Sequence, residues 1–162
     1  MPNITAKYSG LIAEINKRVG DFNASLASGY HFRRIHPEDP ATFAVIRSPN
    51  WISEPLPSNC RGGVFILGAH DEKVPSRLGV YVGRSSLKTV RYGIRSALNL
   101  YKAIDPCALQ VGSATFCIDV ILVVPVNSRT TRSMACALHE EIVKWGLKSA
   151  DLINGIGTLP VP

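Results

Sequence analysis

The chain has 162 residues, 46% hydrophobic and 19% charged, which suits one folded domain with an attached arm and excludes a disordered chain. Thirteen glycines and eleven prolines spread along it exclude a simple helical bundle. The formal net charge is +6, and residues 61–110 hold eight basic and three acidic residues, so most of the excess lies in the middle third and points to an anionic partner.

In chain order, residues 3–28 read as a helix. Ile4, Leu11, Ile12, Ile15, Val19, Phe22 and Leu26 recur at three- and four-residue steps, and Gly29 is placed to end it. Residues 30–60, punctuated by Pro37, Pro40, Pro49, Pro55 and Pro57, read as an irregular arm with a short strand at 43–46. Residues 63–67 and 79–83 are strands, joined into an antiparallel hairpin by a long polar loop over 68–78. A helix over 87–103 follows, stopped by Pro106; then a central strand over 116–124, a second helix over 131–148, and a turn with an extended tail. The order gives an α+β fold, an α/β/α sandwich. Its small sheet is mixed, mainly antiparallel and three-stranded, with flanking helices and an N-terminal helical arm. The arm is 1–60 and the functional domain 61–162.

The four cysteines, Cys60, Cys107, Cys117 and Cys136, form no C-x-x-C pair, and no histidine groups with them, so a zinc site is not expected. No basic start with a following apolar run marks a leader, and the longest apolar run, 120–126, contains Pro125 and is too short to span a bilayer. The expectation is a cytoplasmic protein with reduced thiols and no membrane partner.

Three features can carry chemistry. Gly83 is followed by Arg84, Ser85 and Ser86; such a strand end can bring backbone close to a phosphate, and it equally suits a plain β–α turn capped by Ser. Neither GxGxxG nor GxxxxGK[ST] occurs, which excludes a mononucleotide P-loop. On the next helix, advancing about 100° per residue from Val90 puts Arg91 at about 100°, on the edge of the apolar stripe, and Arg95 at about 140°. An Arg at a core edge has a packed stem and suits bidentate phosphate contact; a snorkelling Arg with no role is the alternative. On the later helix, measured the same way from Leu138, Glu141 falls at about 300°, flanking the apolar face, and Glu140 at about 200°, toward solvent. A boundary carboxylate needs a salt-bridge partner or a cation. His31, Arg33, Arg34 and His36 in the arm offer groove or backbone contacts, or form a solvated turn.

These parts, in this order, resemble the GIY-YIG nucleases. The two strand motifs are matched by Gly63-Val64-Phe65 and Tyr81-Val82-Gly83, and the family's helical Arg by Arg91, eight residues after Gly83. The metal-binding Glu is matched by Glu141, thirteen residues before Asn154, which matches the Asn of the final turn. The resemblance covers residues 62–157. Phe65 stands where the family usually has Tyr, Arg95 replaces the usual His, and the loop between the motifs is long. A gapped alignment puts Arg95 in the place of Arg91.

The resemblance implies a metal-dependent endonuclease that hydrolyses phosphodiesters of double-stranded DNA, of the sequence-specific restriction type and acting as a homodimer or homotetramer. Glu141 would hold one Mg²⁺ or Mn²⁺. Arg91 would neutralise the scissile phosphate, assisted by Arg84 or Arg95, and Tyr81 would orient or deprotonate the water. Asn154 would brace the Glu141 region or contact the phosphate, and Arg84, Ser85 and Lys88 would contact the DNA; Arg33 and Arg34, in the arm outside the matched stretch, are candidates for further DNA contact. A non-catalytic nucleic-acid-binding protein on the same fold is the rival, favoured by Phe65 and Arg95. A small-molecule enzyme is disfavoured, because no Ser/His/Asp or Cys/His constellation can be placed along the chain.

Overall fold

A computed structural model of the chain describes residues 3–27, 31–46, 61–89, 94, 108–125 and 132–153. It opens on α1 (Ile4–Lys7), whose N-cap Asn3 accepts the Thr5 amide at 3.0 Å. After Tyr8, α2 (Ser9–Asn23) buries Leu11, Ile12, Ile15 and Val19. The helix expected over 3–28 is therefore broken at Tyr8 and ends at Asn23, short of Gly29, which lies outside the described residues.

Two asparagines on α2 fix the path of the returning chain. Asn23 donates to Phe32 O at 2.9 Å and accepts from Phe32 N at 2.8 Å. Asn16 donates to Ile35 O at 2.8 Å and accepts from Ile35 N at 2.7 Å. Seven helical residues rise about 10.5 Å and three extended residues cover about 10 Å, so the two amides meet the two backbone positions in antiparallel register. Phe32 and Ile35 are thereby delivered to the core.

One sheet holds β1 (Phe43–Val45), β2 (Arg61–Asp71), β3 (Leu78–Thr89), β4 (Ala108–Val111), β5 (Ala114–Pro125) and β6 (Asp151–Leu152). Its order is β1-β5-β2-β3-β6, with β4 also pairing β5; all pairs are antiparallel except β3 with β6. The fold is α+β with a mixed, mainly antiparallel sheet, as expected, but of six strands among the described residues rather than three. The short strand near 43–46 is present as β1. β4 and β6 were not foreseen: four and two residues are too few to show a period.

The hairpin differs in two ways. Its loop is only residues 72–77, because Asp71 folds it tightly: Oδ1 accepts Lys73 N at 2.8 Å, and the Asp71 amide donates to Arg77 O at 2.9 Å. At the other end, β3 does not stop at Gly83. It runs on through Ser85 and Ser86 to Thr89, with Ser85 opposite Gly63 and Thr89 opposite Arg61. The β–α turn with a Ser cap is thus replaced by a strand that also takes in 87–89 of the helix expected over 87–103; of that helix's remaining residues only Ile94, which is helical, is described.

The sheet has two apolar faces, as alternation along its strands requires. Val64, Ile66, Val80, Val82, Val120, Leu122 and Val124 pack with α2 and with α3 (Arg132–Trp145) through Leu138 and Ile142. Phe65, Leu67, Tyr81, Ile121 and Val123 face the other way, toward Ile94, Leu109, Phe116 and Ile153. The two long described helices therefore share one face, and helical Ile94 lies on the other. Tyr8, Leu11 and Ile15 belong to the same core as Val64 and Leu138, so the N-terminal helix is built into the domain.

Close approaches explain two glycines. A Cβ on Gly83 would overlap the ring of Phe65, its cross-strand neighbour. A Cβ on Gly68 would lie 2.6 Å from Val120 and 3.0 Å from the Tyr8 ring. Beside Gly68 the register of β2 against β5 shifts, with Gly68 opposite Val120 and Ala69 opposite Ile118, leaving Asp119 as an extra residue.

Candidate nucleic-acid interface

Arg84 follows Val80 and Val82 at two-residue steps on β3, so it projects on the α3 face. There it meets His139, which α3 places beside Leu138 with only 1% of its surface exposed. His139 Nε2 lies 2.9 Å from Val82 O. A carbonyl only accepts, so Nε2 carries the proton. Nδ1 is then left to accept from Arg84 Nη1 at 3.1 Å. Burial pushes the His139 pKa below its ordinary value; the Arg84 charge pushes the same way, against the Val82 hydrogen bond and Glu140. A neutral imidazole thus holds the guanidinium from below. The cleft above them, about 350 Å³, is lined by Arg84, His139, Glu140, Val143 and Lys144.

The expected site residues fall in different places. Tyr81 is fully buried on the opposite face of the sheet, its ring 6.0 Å from that of Phe65. Glu141 is exposed on α3 and opens toward α2, in a cleft of about 480 Å³ with Arg18, Asp21, Phe22 and Ser25. It does not sit at a buried boundary, and the sheet separates it from Tyr81. Glu140, expected in solvent, is also exposed, yet it is the carboxylate that shares a cleft with Arg84. Ser85 and Lys88 lie on β3 and Gly63 at a register shift of β2. Arg33 pairs with Asp39, and Arg34 is exposed over α2 at Gly20. Arg91, Arg95 and Asn154 lie outside the described residues.

The surroundings of Glu141 do not fit Mg²⁺ or Mn²⁺. Such an ion wants several converging oxygens. Here Asp21 is drawn to Lys17 at 3.0 Å, and the guanidinium of Arg18, fixed on Gly146 O at 2.6 Å, lines the same cleft. Among the described residues no three His, Cys, Asp or Glu side chains are grouped to hold a metal ion. Nor is any helix among them long and apolar enough to cross a membrane.

A second polar constellation was invisible in the sequence. Asp119, turned inward at the bulge, accepts from Tyr8 Oη at 2.6 Å and pairs with His70 Nδ1 at 2.8 Å and Lys7 Nζ at 3.6 Å, all through Oδ2. Burial, then the Asp119 hydrogen bond and charge, push the Tyr8 phenol far above its ordinary value, so it stays a donor. The cluster fastens the junction of α1 and α2 to β2 and β5. Only the alternation break around Asp119 in an otherwise apolar strand could have signalled it. Comparison with family models, with curated proteins and with solved structures yields no match for this chain.

Proposed function

We propose that the protein binds the phosphate backbone of nucleic acid at the cleft between β3 and α3. The observation that carries this reading is the Arg84 guanidinium seated on the buried His139 imidazole, with Lys144 lining the same cleft. An Arg anchored by one nitrogen keeps a rigid fork of further donors, which suits phosphate oxygens. Lys144 lies one turn beyond Glu140 on α3, so Glu140 offsets one of the two cations in the cleft. Affinity is therefore modest and strongly salt-dependent. Titrating labelled duplex DNA over a salt series, with anisotropy as the readout, tests this. Arg84→Ala should weaken binding about three- to tenfold and reduce the salt slope by about one. Equal affinities and equal slopes for the two proteins would refute the reading.

Hydrolysis of DNA is the second reading. The antiparallel pairing of the two strands that carry the matched motifs favours it. Binding stands first because Tyr81 and Glu141 lie on opposite faces of the sheet. Plasmid incubated with and without Mg²⁺ separates the two. Metal-dependent nicking that disappears in Glu140→Ala or Glu141→Ala would establish cleavage. Bound but intact plasmid leaves a binding protein.

A further inference from the structure

The turn after α3 forms a cradle of hydrogen-bond donors, and one of the protein's own carboxylates fills it. The helix ends at Trp145, and Gly146 takes a φ of +67°, a conformation that glycine adopts without penalty and that reverses the chain. The donors that follow converge on Glu14 of α2. Lys148 N donates to Oε1 at 3.0 Å and to Oε2 at 2.8 Å; Ser149 N and Ser149 Oγ both donate to Oε1, at 2.9 and 2.7 Å. One helical turn on, Arg18 clamps Gly146 O. The surrounding cleft, about 450 Å³, is lined also by Lys17 and Lys148.

Three features of this arrangement exceed what a carboxylate needs. Successive backbone amides with a neighbouring hydroxyl are a donor set suited to any oxyanion. Glu14 has only two oxygens, and Oε1 takes three of the four bonds. An ion with an oxygen for each donor would spread them. The charge is also mismatched: with Lys17 paired to Asp21, one carboxylate still faces a cleft edged by Arg18 and Lys148. A phosphate group, with more oxygens and up to two charges, fits both donors and cations better.

We propose that this cradle is a phosphate-binding site held closed by Glu14 acting as an intramolecular ligand. It is separate from the Arg84 cleft and stands whether or not that cleft binds nucleic acid. Because Glu14 is tethered, its effective concentration is high, and a free phosphate meets strong competition in the wild type.

Amide NMR on the full chain tests the proposal. Inorganic phosphate is titrated into wild type and Glu14→Ala at constant ionic strength, with chloride as the control. In Glu14→Ala the Lys148 and Ser149 amides should shift saturably with phosphate and not with chloride, and in the wild type the same response should need roughly tenfold more phosphate or more. Adding Ser149→Ala to Glu14→Ala should weaken the response. If Glu14→Ala does not fold, Glu14→Gln keeps the side chain's length and removes its charge, and the same shifts are expected. A parallel titration with an oligonucleotide carrying only phosphodiesters distinguishes a nucleic-acid backbone from a free phosphate as the source. Amides that stay still in the folded variants, or that respond equally to chloride, would overturn the proposal. So would equal phosphate affinity in the wild type and the variant.

Discussion

Protonating His139 would set a second N–H against the Arg84 guanidinium, in a place already closed to water. The unfolded chain carries no such penalty, and its imidazole takes a proton near the ordinary value of about 6.5. The folded pKa is lowered, so between that ordinary value and the folded one the unfolded state binds more protons. Stability contributed by neutral His139 is thus full above the ordinary value, falls as pH drops below it, and levels once the folded imidazole is itself protonated. Urea denaturation at steps from about pH 7 to pH 5 should show the wild type losing stability over that window. In His139→Gln the part of the loss due to this imidazole should vanish. Glu14 works in the same direction, in the more acidic carboxylate range. Burial alone would raise its pKa, but the hydrogen bonds from Lys148 and Ser149 and the Arg18 charge together hold it below the ordinary carboxylate value. Its contribution is full above that value and is lost as pH falls from there through the folded one.

At the scale of the element, the hairpin of β2 and β3 is locked by the ring of Phe65 lying across Gly83. Gly83→Ala should cost about 1–3 kcal/mol through overpacking. Combining it with Phe65→Leu should recover part of that loss, so a double-mutant cycle by denaturant unfolding should give a non-additive pair. The same hairpin shows what was legible in the chain. GVFIL and GVYVG are apolar enough to be read as strands at once, and the stripe Leu138, Ile142 of α3 is equally plain. Arg84, Ser85 and Ser86 suit a turn with a Ser cap, and Thr89 suits the helix expected over 87–103, because hydroxyl residues serve in caps and strands alike. What decides is a distant partner, residues 61–64 of β2. Asp71 and Gly68 likewise resembled a loop until Arg77 and Tyr8 were in place beside them. Of the candidate site, Arg84 was legible from the charge run. His139 and Lys144 were not, since nothing in the local pattern of α3 says that β3 lies beneath them.

Across the whole molecule, the described basic side chains of the middle third do not form one patch. Arg77 is engaged by Asp71 and Asp151 at the start of β3, while Arg84 lies seven residues along the strand, about 23 Å away at 3.3 Å per residue. The N-terminal helix likewise belongs to the body of the protein. Asp119 holds its start, Glu14 and Arg18 tie its middle to the turn after α3, and Asn23 fastens its end to the returning chain. The two asparagine clamps have a kinetic consequence. The Phe32 and Ile35 amides lie in a segment with no helix or strand of its own, yet each donates to a side chain rooted in α2. Deuterium cannot reach them by local fraying. They should exchange only when α2 itself comes away, at the rate of its central amides, and Asn16→Ala should release Ile35 to fast exchange while leaving Phe32 slow. An irregular stretch of chain would then carry the exchange signature of a helix.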